Sequence, residues 1–109
     1  MPEQYLKEEV LNLIKEVETS PVTTQRHLSD RLGISLGKTN YLLKALIKKG
    51  SIKAKNFSRN PGKLGKVKYI LTSKGMQEKM NLMYHFLKRK ETEYNNIKRE
   101  WEELKLSQK

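Results

Sequence analysis

Nine positions in the last third of the chain constrain its fold more than any other feature. Met76, Met80, Met83, Leu87, Lys90, Tyr94, Ile97, Trp101 and Leu104 follow one another at alternating steps of four and three. That is a heptad register with one polar interruption, at Lys90. Such positions share a side only on an α-helix. The spacing therefore predicts a helix that begins at Thr72 or Ser73, either of which can cap it, and runs to about Leu106, roughly 50 Å at 1.5 Å per residue. The preceding domain is too small to cover a stripe of that length. A second copy of the same helix is the expected cover, along Met80, Met83, Leu87, Tyr94, Ile97, Trp101 and Leu104. With Met80 at position a, Glu93 and Glu100 fall at g, and Lys98 and Lys105 at e. Parallel pairing sets these charges against opposite signs, antiparallel pairing against like signs. Leu82 and Phe86, beside the stripe, are expected to pack on the preceding domain or to widen the seam near it. The methionines read as packing residues, not as metal or cofactor ligands.

The stretch from Thr24 to Leu43, TQRHLSDRLGISLGKTNYLL, reads as two short helices and a tight turn. Thr23 or Thr24 can cap the first helix, on which Leu28 and Leu32 share a face. Gly33 supplies the positive φ that ends it, Ile34 plugs the corner, and Ser35 caps the second helix. Ser29 is small where the helices should cross. Thr39, Leu42, Leu43 and Leu46 form the inner face of the second helix, although an aliphatic residue would be usual at 39. At roughly 100° per residue, Gly37, Tyr41, Lys44 and Lys48 fall on the opposite face, flanked by Lys38 and Asn40. Glycine allows close backbone approach, tyrosine stacks or hydrogen-bonds, and lysine suits phosphate. This is the pattern of a helix-turn-helix. An ordinary helical hairpin in a small bundle is the plainer alternative.

Around this motif the remaining elements fall into place. Residues 3–18 carry Leu6, Val10, Leu13, Ile14 and Val17 at helical spacing, with acidic residues on the outer face, and Thr19, Ser20 and Pro21 end that helix. Val22 can add a very short strand. After Gly50, a C-terminal helix stop, Ile52 and Ala54 alternate with Lys53 and Lys55. Val67, Tyr69 and Leu71 alternate with Lys66, Lys68 and Ile70. Both runs have the period of two of half-buried strands. Turn residues lie between them, Ser58 to Lys63, so a β-hairpin with a basic tip is expected. Arg59, Lys63 and Lys66 could reach a neighbouring groove or backbone, and an arginine at the tip suits a narrow minor groove. The fold class is thus mainly α with a small β-hairpin. Residues 1–75 form a winged helix-turn-helix domain, and residues 76–109 a coiled-coil helix for dimerisation.

Charge distribution indicates the partner. The chain carries a formal net charge of +11. Twelve basic residues lie from Arg31 to Lys74, and no acidic residue lies between Asp30 and Glu78. So one-sided a block repels itself in the folded state, and a polyanion is the usual reason to keep it. Double-stranded DNA is the expected partner, with an anionic membrane surface a distant second. No apolar run approaches membrane-spanning length and no signal peptide opens the chain, so a cytoplasmic location is expected. There is no cysteine, hence no disulfide or thiolate-bound zinc. His27 and His85 have no ligand spacing, Asp30 is the single aspartate, and Gly62 and Gly65 do not precede a helix as a phosphate loop would. No enzyme activity, metal or cofactor is expected.

The run LGISLGKTNYLLKALIKKGSIKAKNF, followed by YILTSKG, resembles the winged helix-turn-helix of MarR-type transcriptional regulators. Leu71-Thr72-Ser73-Lys74-Gly75 after the wing is typical of them. The short chain and its FLKRKETEY helix are most similar to a small subgroup, the exopolysaccharide-associated MarR regulators. The resemblance covers residues 5–105. It implies a homodimer on duplex DNA, with Lys38, Asn40, Tyr41 and Lys44 at the major groove and Arg59 and Lys63 at the wing tip. Larger members dimerise through helices at both ends and often hold a small phenolic ligand. Here one C-terminal helix must do the dimerising, and the residues define no small-molecule effector. A sequence-specific regulator is therefore the leading expectation. A sequence-tolerant architectural DNA-binding protein comes next, and a coiled-coil protein-interaction module third.

Overall fold

The computed structural model describes residues 3–56 and 65–108. Among the described residues four helices and three strands follow in the order α1 (Glu3–Thr19), β1 (Val22–Thr23), α2 (Gln25–Leu32), α3 (Leu36–Lys49), β2 (Ile52–Asn56), β3 (Val67–Leu71) and α4 (Ser73–Ser107). The strands form one antiparallel sheet in the order β1-β3-β2. The hairpin thus gains a third strand: Val22 and Thr23 pair with Lys68 and Val67, and the Tyr69 amide donates to Pro21 O at 2.8 Å. The fold is a winged helix-turn-helix with a long C-terminal helix, 72 Å in its longest dimension.

The core forms where apolar faces of different period meet. Leu13, Ile14 and Val17 of α1, Leu28 of α2, and Leu42, Leu43 and Leu46 of α3 pack with Ile52 and Tyr69 from the sheet. Thr39 lies among them without exposure, its hydroxyl donating to Ser35 O at 2.9 Å. That bond satisfies the hydroxyl that would otherwise make a buried threonine costly. Ala54, expected to face inward, is exposed, because the core ends before the sheet does. Burial pushes the Tyr69 hydroxyl above its ordinary pKa, against an opposing hydrogen bond from Gln25.

Each helix of the motif starts and stops as its terminal residues dictate. Thr24, not Thr23, caps α2, its Oγ1 accepting from the His27 amide at 3.0 Å. Gly33 ends α2 at φ 67°. Ser35 Oγ accepts from the Lys38 amide at 3.1 Å to start α3. Gly50 ends α3 at φ 86°, its amide donating to Ile47 O at 3.0 Å.

The end of α3 is fastened to the start of α4. Thr72 caps α4 by accepting from the Gly75 amide at 3.0 Å, and its hydroxyl lies 2.6 Å from Gly50 O and 3.0 Å from Ser51 O. The Thr72 amide also donates to Ser51 O, at 3.0 Å. Gly75 is buried against that peptide: a Cβ there would collide with Ser51 O and Leu71 Cδ1. One turn on, Glu78 accepts from Ser51 Oγ at 2.6 Å and pairs with Lys49 Nζ at 2.8 Å. Burial pushes the Glu78 carboxyl upward. The hydrogen bonds from Lys49 and Ser51, with the charges of Lys49 and Lys74, outweigh that and hold it below the ordinary glutamate range. The Thr72–Gly75 signature is thus a joint. The division drawn at residue 75 falls inside α4, whose first turns belong to the body: Lys79 pairs with Glu18 of α1 at 2.5 Å, and Leu82 packs against the core.

Beyond the joint α4 leaves the body. From residue 90 to residue 108 every residue is exposed. A mainly apolar groove of about 530 Å³ opens between α1 and α4, lined by Leu11, Met80, Met83, Tyr84, Phe86 and Leu87, with Lys15 and Lys90 also on its lining. It is continuous with the exposed stripe through Met80, Met83 and Leu87.

Candidate nucleic-acid interface

The inner residues of α3 are committed to the core, and this fixes what faces outward. Gly37, Tyr41, Lys44 and Lys48 are all exposed, Tyr41 at 65%. Gly37 has no packing duty: a Cβ built there meets nothing within 4 Å. Ser35 is exposed at the head of the helix, where its oxygen serves as cap.

Two residues expected among this group are turned toward the body. Lys38 lies on the flank facing α1, and its Nζ stands 2.6 Å from Glu9 Oε1, with both side chains mostly buried. The second oxygen of Glu9 is buried and has no hydrogen-bond partner among the described residues. A glutamate in that position is tolerable only beside a cation. Asn40 lies on the other flank and donates from Nδ2 to Gln25 Oε1 at 3.0 Å, while Gln25 also hydrogen-bonds the Tyr69 hydroxyl. Asn40 is therefore part of a polar chain from α3 through α2 to β3. Both keep the flanking positions expected of them, and in the single chain each is engaged by the body. The spacing put both at the edge of the outer face, and partners distant in sequence decided which way they turned.

Acidic side chains follow the same logic. Glu9, Glu16, Glu18 and Glu78 each hold a cation: Lys38, Arg31, Lys79 and Lys49. Their negative charge is absorbed within the body. Exposed lysines remain along α3 (Lys44, Lys48) and across the sheet (Lys53, Lys55, Lys66, Lys68). Lys66 sits at the foot of β3. Arg59 and Lys63 lie outside the described residues. Sequence reasoning passed over Leu36, the first residue of α3, which is 45% exposed. It lies seven residues before buried Leu43, on nearly the same side of the helix, in the first turn that the core does not fully cover.

Among the described residues no group of three or more histidine, cysteine, aspartate or glutamate side chains could hold a metal ion. No helix there is long and apolar enough to cross a membrane.

Comparison with known proteins agrees with this geometry. Residues 5–53 match the family described as winged helix-turn-helix DNA-binding. The structure is similar to that of the PcaV transcriptional regulator from Streptomyces coelicolor, with a TM-score of 0.64 and 14% identity over 77% of this chain and 60% of that one. PcaV in complex with its natural ligand gives 0.62 and 16% identity, over 76% and 57% of the two chains. A cysteine-to-serine mutant of Lactococcus lactis ZitR, in complex with DNA, gives 0.58 and 23% identity, over 87% and 59%. The chain thus spans about 60% of the length of these structures, and at such identities the likeness is one of fold. No curated protein matches the sequence.

Proposed function

We propose that this chain is a sequence-specific, DNA-binding transcriptional regulator of MarR type that acts as a homodimer, with exopolysaccharide genes as its target class. The observation that carries the reading is the outer face of α3. Gly37, Tyr41, Lys44 and Lys48 are exposed together, the lysines of β2 and β3 are exposed as well, and the nearby carboxylates are held in ion pairs. A helix with this face fits a major groove, and the flanking lysines fit phosphates. The matched family and the DNA complex formed by ZitR support the same reading. Arg59, Lys63 and Lys66 would follow the adjacent backbone or minor groove. Such a protein works in the cytoplasm, without a catalytic centre.

Dimerisation rests on the stripe. Met80, Leu87, Tyr94, Ile97, Trp101 and Leu104 are all more than half exposed on one chain. Their apolar area is large for a monomer surface, and a second copy would cover it and the adjoining groove together. Two recognition helices would then enter successive major grooves of an imperfect palindrome, about one turn apart. In the single chain Glu93 pairs with Arg89 and Lys90 of its own helix, at 3.3 and 3.9 Å. Pairing with Lys98 of a partner would compete with bonds that are themselves weak.

The alternative is a sequence-tolerant architectural protein on the same fold. The inward turn of Lys38 and Asn40 favours it, since it leaves fewer polar side chains aimed at base edges. Fluorescence anisotropy separates the two, with the DNA upstream of the chain's own gene against a scrambled duplex at several salt concentrations. A regulator discriminates by roughly a thousandfold or more at physiological salt. Equal affinities that fall together as salt rises would establish the architectural reading. Absence of binding to either at low salt would leave a protein-interaction module.

A further inference from the structure

We propose that a second copy lies antiparallel on the first, so that the distal half of its α4 seats Trp101 and Leu104 in the groove between α1 and α4. The inference rests on the homodimer reading above and names the orientation and register of the pair.

The stripe from Met80 to Leu104 has the same spacing read from either end, with Thr92 at its midpoint. Crossing there sets Met80 against Leu104, Met83 against Trp101, Leu87 against Ile97 and Lys90 against Tyr94. All eight side chains are exposed in the single chain.

Three observations favour this pairing over the parallel one. First, parallel pairing in register puts each residue on its own copy, so Lys90 meets Lys90 in the seam. Antiparallel pairing lays Lys90 along Tyr94, where the stem packs on the ring and the ammonium is attracted by its face. It also puts Met83, a flexible side chain that favours aromatic contacts, on Trp101. Second, charge along the seam divides at the same midpoint. Residues 80–91 carry three basic and one acidic side chain, a net of +2, and residues 93–104 two basic and four acidic, a net of −2. Antiparallel pairing lays unlike halves together. It also sends to opposite ends the two bodies, whose residues 1–75 carry fifteen basic and six acidic side chains, where parallel pairing sets them side by side in mutual repulsion. Third, the groove lies at the body end of the seam only. A parallel partner brings a second groove to it, whereas an antiparallel one brings Trp101 and Leu104. Glu100 then falls on the Phe86 side of the seam, where Lys15 stands on the lining. The like charges expected of antiparallel pairing reduce to Glu91 and Glu93 at the crossing. Each already has a cation on its own helix, Lys88 at 3.9 Å and Arg89 at 3.3 Å. In this register Lys98 faces Tyr84 and Lys105 faces Gln77.

The chain has no cysteine, so an introduced thiol reports alone. Ser107→Cys, beyond the stripe, carries a nitroxide spin label in the full chain, at concentrations where sedimentation equilibrium shows a dimer. Antiparallel pairing places the two labels about 45 Å apart, from the distance of residue 107 to the midpoint at 1.5 Å per residue. Parallel pairing holds them below about 20 Å, the spacing of packed helices plus the label arms. The short distance overturns the proposal and leaves the homodimer standing, and a monomer at every concentration overturns both. Chains bearing Met80→Cys mixed with chains bearing Leu104→Cys should form a disulfide between the two variants on oxidation. Cross-linking of either variant with itself, and not with the other, overturns the register. Lys15→Glu should weaken self-association by about fivefold, and Glu100→Lys added to it should restore the dimer. Absence of that rescue removes the distal helix from the groove.

Discussion

In the winged body, Leu13, Ile14, Leu28 and Thr39 are sealed from solvent. Along the distal half of α4, Tyr94, Ile97, Trp101 and Leu104 stand more than half exposed on a helix of the same chain. The body is held by contacts between residues far apart in sequence: Lys38 with Glu9, Asn40 with Gln25, Thr72 with Gly50 and Ser51. The distal helix is held by neighbours three or four residues away, such as Arg89 with Glu93 and Lys88 with Glu91. Pairs of that kind are worth about 0.3–0.5 kcal/mol each, and an exposed helix is marginal on such terms. The body therefore carries a core of its own, whereas the distal helix has only continuity with the joint and whatever covers its stripe.

This contrast can be broken by substitution. The largest effect is expected at the joint. Gly75→Ala would force a methyl into Ser51 O and Leu71, and overpacking of that kind costs about 1–3 kcal/mol. We expect the upper end in urea denaturation, because the obstacle is backbone. A loss below about 0.5 kcal/mol would mean that α4 is not seated on β2 as described. Lys38→Ala comes next. Its pair with Glu9 is mostly buried, between the ~0–1 kcal/mol of surface pairs and the ~3–5 kcal/mol lost on breaking fully buried ones. A destabilisation of about 1–2 kcal/mol is expected, against less than about 0.5 kcal/mol for exposed Lys44→Ala. Equal stabilities for the two variants would return Lys38 to the outer face. Ile97→Glu should leave the unfolding of a monomeric body within about 0.5 kcal/mol while shifting sedimentation equilibrium from dimer to monomer. A drop in body stability at concentrations where the chain is already monomeric would erase the distinction between the two regions. The smallest effect concerns pH. The folded-state pKa of Glu78 is lowered, so its contribution is present above the unfolded glutamate value and is lost as pH falls through the folded one. Glu78→Gln should flatten that acid limb of stability, measured by denaturation midpoint at stepped pH. An unchanged limb would detach Glu78 from the joint.

Sequence patterns carried the elements well wherever the cause was local. Gly33 and Gly50 mark helix ends because only a residue without Cβ takes positive φ freely, and Ser35 caps because its oxygen is short enough to reach the free amide three residues on. The stripe from Met76 to Leu104 required a helix whatever surrounded it. What the sequence left open depended on residues brought together by folding. Nothing near Lys38 announces Glu9, nothing near Asn40 announces Gln25, and periodicity alone set both on the edge of the outer face. Val22 and Thr23 are too few to declare a strand until Lys68 and Val67 arrive beside them. Gly75 could be read as part of a signature, but its need to lie against the Ser51 carbonyl follows from the crossing of two elements. Arg59 and Lys63 are placed by sequence alone.

The joint between α3 and α4 also has a mechanical meaning. Helix α4 has 35 residues and so extends about 52 Å at 1.5 Å per residue. Rigidly fastened at Gly50–Thr72, it is a lever arm: a tilt of about 5° at the joint sweeps its far tip through about 4–5 Å over that length. Run in reverse, a displacement of several ångströms where two such arms cross is geared down to a fine adjustment of α3. In a pair of chains joined as proposed, the arms would work as calipers, setting the gap between the two recognition helices against the helical repeat of DNA.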